Sequence, residues 1–107
     1  MINNKDVVIA FWLKDEPTHS KSMYYSDNKL FSYGTCILQR ANGLVIGNAT
    51  KYSHTTSVHQ KLAGVYGSDA MVHDVPRGTA DLLSYAKQQV YELDMMIEKA
   101  GVWLGVK

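Results

Sequence analysis

From Val7 to Leu13 the chain carries seven successive apolar residues: Val7, Val8, Ile9, Ala10, Phe11, Trp12 and Leu13. A short unbroken run rich in β-branched and aromatic side chains, closed by Lys14, Asp15, Glu16 and Pro17, predicts a buried first strand ending in a loop. Residues 18–28 are rich in Ser and Lys and interrupted by Met23, Tyr24 and Tyr25. They predict a mobile loop or a short edge strand between two loops. The sharpest local signal is Asn42-Gly43 between apolar segments, because both residues tolerate the positive φ of a type I′ turn. It predicts a central hairpin in which Ala41 faces Leu44, Arg40 faces Val45, Leu38 faces Gly47, Cys36 faces Ala49, Thr35 faces Thr50 and Tyr33 faces Tyr52. Strict alternation would then place Cys36, Leu38, Val45, Gly47 and Ala49 on one face, with Tyr33, Thr35, Ile37, Gln39, Ile46, Asn48, Thr50 and Tyr52 on the other.

Downstream, Ser57 and Gln60 match a capping box, which predicts a short helix over residues 58–66 stopped by Gly67. Residues 70–75 have strand character and end at Pro76. Thr79 then reads as an N-cap, Asp81 lies in a first turn where the helix dipole favours a carboxylate, and apolar residues recur at Leu83, Ala86, Val90, Leu93, Ile97 and Ala100. This spacing predicts an amphipathic helix of about six turns ending near Gly101, followed by the apolar Val102, Trp103 and Leu104. The order predicts an α+β fold: a small antiparallel sheet with a central β-hairpin, one short helix, and a long C-terminal helix packed on one face. No repeat or linker divides residues 1–107, so a single domain is expected.

Composition narrows the function classes. Eleven Lys and Arg against ten Asp and Glu give a formal charge of +1 over 107 residues, without the basic excess of a non-specific DNA binder or the acidic surface of a nucleic-acid mimic. At this size about 65% of the unfolded chain's surface is buried on folding, enough for one core. Cys36 is the only cysteine, which removes any internal disulfide or thiolate zinc cluster and fits a reducing, cytoplasmic setting. The longest apolar run is too short to span a bilayer and lacks secretory-signal features, so no membrane partner is expected.

Candidate chemistry concentrates in Lys51, Tyr52, Ser53, His54, Thr55 and His59. Hydroxyls, imidazoles and a lysine before a helix N-terminus suit an anion, but Ser and Thr also belong there as caps, and no Gly-rich phosphate loop is present. His54 and His59, five apart, fall about 140° apart on a helix, make a poor metal pair, and read as solvent-exposed or turn-capping histidines. Cys36 on a small-residue strand face reads as a core residue rather than a nucleophile. No catalytic residue, metal site or cofactor is therefore expected. The tyrosines suit either base stacking or a protein interface.

The segments Phe31, Ser32, Tyr33, Gly34, Thr35, Cys36, Ile37 and Asn48 through Gln60 resemble small uncharacterised proteins of bacteriophages and related mobile elements. These share an aromatic-Ser-Tyr-x-Thr strand followed by a Thr-Lys-Tyr-Ser-x-Thr-Thr-Ser-x-His segment. The resemblance covers residues 31–60 and implies an accessory protein acting in the host cytoplasm on host machinery or defence. It implies no catalytic role. The resulting expectation is a non-enzymatic interaction protein, an inhibitor or modulator of a host protein or protein–nucleic-acid complex. Its expected contacts are Tyr33, Thr35, Lys51, Tyr52, Ser53, His54, Thr55 and His59. The alternatives are a nucleic-acid-binding module on the same face and a small His-dependent hydrolase. The C-terminal stripe leaves a monomer or a homodimer through that helix open.

Overall fold

The computed structural model describes residues 2–90 together with Leu93, Met95 and Met96. The first element is α1 (Asn4–Leu13), a helix where the apolar run predicts a strand. Its start is set by a capping box: the Asn3 side chain accepts from Asp6 N–H while the Asp6 carboxylate accepts from Asn3 N–H. Val7, Val8, Ala10 and Phe11 are buried, whereas Ile9, Trp12 and Leu13 stay exposed. A run that is apolar at every position has no period, and the cap decides the conformation.

Two short strands follow where the sequence allows a loop or an edge strand, β1 (Thr18–His19) at the sheet edge and β2 (Met23–Ser26) between it and the next strand. Then come β3 (Lys29–Ser32), β4 (Thr35–Ala41), β5 (Leu44–Asn48), α2 (His54–Ala63), a single 3₁₀ turn (Val65–Gly67), β6 (Ala70–Val72) and α3 (Leu83–Gln89). The six strands among the described residues lie in sequence order, all antiparallel except β6, which runs parallel to β5. The sheet is therefore mixed rather than purely antiparallel.

The Asn42-Gly43 hairpin forms as expected, with φ of 54° and 81° at its two turn residues and pairs Ala41–Leu44, Arg40–Val45 and Leu38–Gly47. Beyond Gly47 the predicted register stops. Ala49 N–H bonds Val72 O, and Cys36 N–H bonds Thr79 O, so Cys36–Ala49, Thr35–Thr50 and Tyr33–Tyr52 are not cross-strand pairs. A bulge also interrupts alternation: Leu30 pairs Leu38 and Phe31 pairs Cys36, leaving Ile37 unopposed. Ile37 consequently joins Leu38 on one side of the sheet, and Cys36 joins Ile46 on the other.

Both faces are covered, not one. On the first, Val7 and Phe11 of α1 and Ala63 of α2 pack with Met23, Tyr25, Leu30, Ile37 and Leu38. On the second, Val75, Leu82, Ala86 and Leu93 pack with Phe31, Cys36, Leu44, Ile46 and Val72. Trp12 Nε1 donates to Ala63 O at 3.0 Å, tying α1 to the end of α2. Gly47 lets the chain after α2 come close: a Cβ there would collide with the Ser68 side chain and lie 2.7 Å from Val65 O.

Three helix boundaries differ from expectation. α2 starts at Ser53, whose hydroxyl accepts from Thr56 N–H, and stops at Gly64 in the left-handed region. Gln60 does not reach back to Ser57; its amide donates to Asn48 O and Thr50 O, because buried carbonyls at the end of β5 need a donor. Thr79 does not cap α3, which begins after Leu82 without a side-chain cap; its hydroxyl donates to Pro76 O. Of the expected six-turn helix, α3 covers Leu83–Gln89; Ile97, Ala100 and the dimer seam built on them lie outside the described residues. No helix among the described residues is long and apolar enough to cross a membrane.

Candidate functional site

The α2 helix turns His59 inward together with Thr56, Gln60 and Ala63, so the imidazole is buried rather than at a solvated turn. Its Nδ1 lies 2.6 Å from Ser32 Oγ and its Nε2 3.1 Å from Asn4 Nδ2. Asn4 Oδ1 in turn accepts from Ser20 Oγ at 2.5 Å and from Ser22 Oγ at 3.3 Å. One polar chain thus joins α1, the β1–β2 turn, the end of β3 and α2.

A serine, a histidine and an asparagine in line invite comparison with a nucleophilic relay. The donor pattern argues otherwise. With the Asn4 amide nitrogen assigned to face Nε2, the matching tautomer carries its proton on Nδ1, directed at Ser32 Oγ, and that nitrogen then has no lone pair to take the serine's proton. Ser32 is also only 1% exposed, and the Tyr33 ring stacks over the imidazole at 5.5 Å and 23°. Desolvation lowers the His59 pKa, which keeps the ring neutral. Every buried side-chain nitrogen and oxygen among the described residues has a hydrogen-bond partner. The network is a closed strut.

The expected contact residues separate into three groups. Thr35 and Tyr52 are structural: Thr35 Oγ1 accepts from Gly78 N–H at 2.9 Å, and the Tyr52 hydroxyl donates to Val75 O while accepting from Asn48 Nδ2. Both hold the loop over residues 73–79 against the sheet, and Arg77 lies 5.5 Å from the Tyr52 ring centroid. Lys51, Ser53, His54 and Thr55 are exposed around the start of α2. Lys51 lines an open groove of about 510 Å³ with Tyr66, Met71 and His73. Tyr33 is 61% exposed and lies beside His59, not Tyr52. The continuous Tyr33, Thr35, Thr50 and Tyr52 face does not exist, because β5 ends at Asn48 and the chain turns toward β6.

Cys36 is fully buried, and burial pushes its thiol up to about 12, leaving no thiolate at neutral pH.

Three features escape the reading of the sequence. Asn48, completely buried, donates to Cys36 O and accepts from Thr50 N–H, fastening β4 to the departing chain. His19, Lys21 and Tyr24 line a groove of about 490 Å³ with Tyr33 and Gly34. Its signal is the alternation of buried Met23, exposed Tyr24 and buried Tyr25. Finally, α1 and α2 present an outward apolar strip of Ile9, Trp12, Leu13, Val58 and Leu62. Residues three and four apart share a helix face, and the Trp12–Ala63 hydrogen bond brings the two halves together.

Fold and surface together define a mixed six-stranded α+β protein with a closed polar interior and reactive-looking groups turned inward. No protein-family model, curated protein or solved structure matches the chain.

Proposed function

We propose that this chain is a non-enzymatic interaction protein that docks on a host protein or protein complex through the outer face of α1 and α2. The observation that carries the reading is the apolar strip of Ile9, Trp12, Leu13, Val58 and Leu62 on two adjoining helices, with Leu13 70% exposed. Exposed large apolar side chains gathered on two helices that are tied to each other support a contact surface. The exposed charges on α1, on α2 and just after α1 are Lys5, Lys14 and Lys61 with Asp6, Asp15 and Glu16, three of each sign, so the partner is selected by apolar contact rather than by net charge. The His-dependent hydrolase has no support from the Ser32–His59 pair, whose hydroxyl is covered. The resemblance of residues 31–60 to bacteriophage proteins extends the proposal to a phage-encoded inhibitor or modulator acting in the host cytoplasm, a defence complex being one such target.

The test is affinity capture from host extract, followed by titration of the captured protein in purified form. Leu13→Asp and Leu62→Asp, each at an exposed position, are expected to weaken binding at least tenfold while the thermal midpoint stays unchanged, and Tyr33→Ala is expected to bind normally. Wild-type affinity in both aspartate variants would overturn the docking face.

A further inference from the structure

We propose that the Gln89 side chain plugs the outer edge of β6, and that without this plug the edge pairs antiparallel with β6 of a second copy of the chain. No residue of the α1–α2 strip takes part, so the inference stands or falls separately from the docking reading.

Among the described residues β6 closes one edge of the sheet. The Val72 C=O faces inward, where it accepts from Ala49 N–H at 2.8 Å. Backbone direction alternates along a strand, so the N–H and C=O groups of Met71 and His73 face outward. At His73 both are taken by one side chain from the last residue of α3: Gln89 Oε1 accepts from His73 N–H at 2.7 Å, and Gln89 Nε2 donates to His73 O at 2.7 Å. A carboxamide that accepts and donates in this way reproduces the two bonds that a residue of a neighbouring antiparallel strand exchanges with its partner. Gln89 therefore sits where an added strand would run.

The strand itself carries no other guard. Sheet edges are usually blunted by charge, proline or a bulge, whereas Ala70, Met71 and Val72 are uncharged and pair with β5 in unbroken register. The opposite edge, β1, is only two residues long, with Pro17 before it and Lys21 after it. An uncharged strand opposes no like charge when it meets itself across a two-fold axis. Beside it, exposed Met71 and Tyr66 line a groove of about 510 Å³ with Lys51 and Asp74, one charge of each sign. Pairing centred on Met71 brings the two thioether side chains together, and methionine adapts readily to such a contact. A second copy is the occupant this edge fits.

The experiment is sedimentation velocity over a concentration series on the wild-type chain, on Gln89→Ala, and on Gln89→Ala combined with Met71→Lys, with amide hydrogen exchange read at His73. Gln89 and Met71 are both exposed, so all three proteins are expected to fold, with matching circular dichroism. In Gln89→Ala at low concentration the His73 N–H is expected to exchange about tenfold faster than in wild type, the scale of one lost hydrogen bond. The same variant is expected to form more dimer than wild type as concentration rises. Adding Met71→Lys is expected to return the mass to that of wild type, because two lysines then oppose each other across the axis. Gln89→Ala with no more dimer than wild type overturns the plug, and a dimer that persists with Met71→Lys overturns pairing through β6.

Discussion

His59 shows how one side chain can look reactive and act as a fastening. Its two ring nitrogens meet Ser32 and Asn4, and burial disfavours the charged form. The folded-state pKa therefore lies below the ordinary value of 6.5, and the unfolded chain binds more protons as the pH falls past that value. Stability from this residue is complete above about 6.5 and declines on acidification toward the folded pKa, below which it levels off. Protonation would also place an N–H at Nε2 against the Asn4 amide donor. The thermal midpoint is expected to fall between about pH 7 and about pH 5, less steeply in His59→Gln. An equally steep fall in that variant would rule out the strut. A histidine at this position in the sequence reads as exposed because its burial follows from Ser53, not Ser57, starting the helix.

At the scale of elements, α1 is the instructive case. Its residues favour a strand by intrinsic preference, yet that preference is weak and yields to context. The Asn3–Asp6 box satisfies the first helical N–H groups, and Val7, Ala10 and Phe11 then fall on one side at helical spacing. Asn3→Ala is expected to cost about 1 kcal/mol in urea unfolding, with reduced helical circular dichroism near the transition. A strand over the same residues would be indifferent to that substitution. The Asn42-Gly43 hairpin is the opposite case: its turn chemistry is local, and its first pairs are legible without tertiary information.

For the whole molecule, two cores share the strands β4 and β5, one on each side of the sheet. Ile37 and Ile46 are completely buried on opposite sides, so each supports the strands that the other side also needs. Ile37→Ala and Ile46→Ala are each expected to cost about 2–5 kcal/mol, a large part of the roughly 5–15 kcal/mol of a small domain. Tryptophan fluorescence and circular dichroism are expected to report a single transition in both variants. Separate transitions for the two faces would show that they fold independently. The sequence by itself determined the α+β class, the hairpin turn, the burial of Cys36 and the presence of a helix across Leu83–Gln89, though not where that helix starts, because each rests on turn chemistry or local periodicity. Only the tertiary structure decided that the first apolar run is a helix, that a bulge at Ile37 reverses the facing of the residues before it, and that β6 joins parallel to β5. It alone brought Tyr33 to His59 and to the Tyr24 groove, and left a helical strip uncovered. These outcomes depend on which distant backbone supplies each hydrogen bond, and no spacing along the chain encodes that choice.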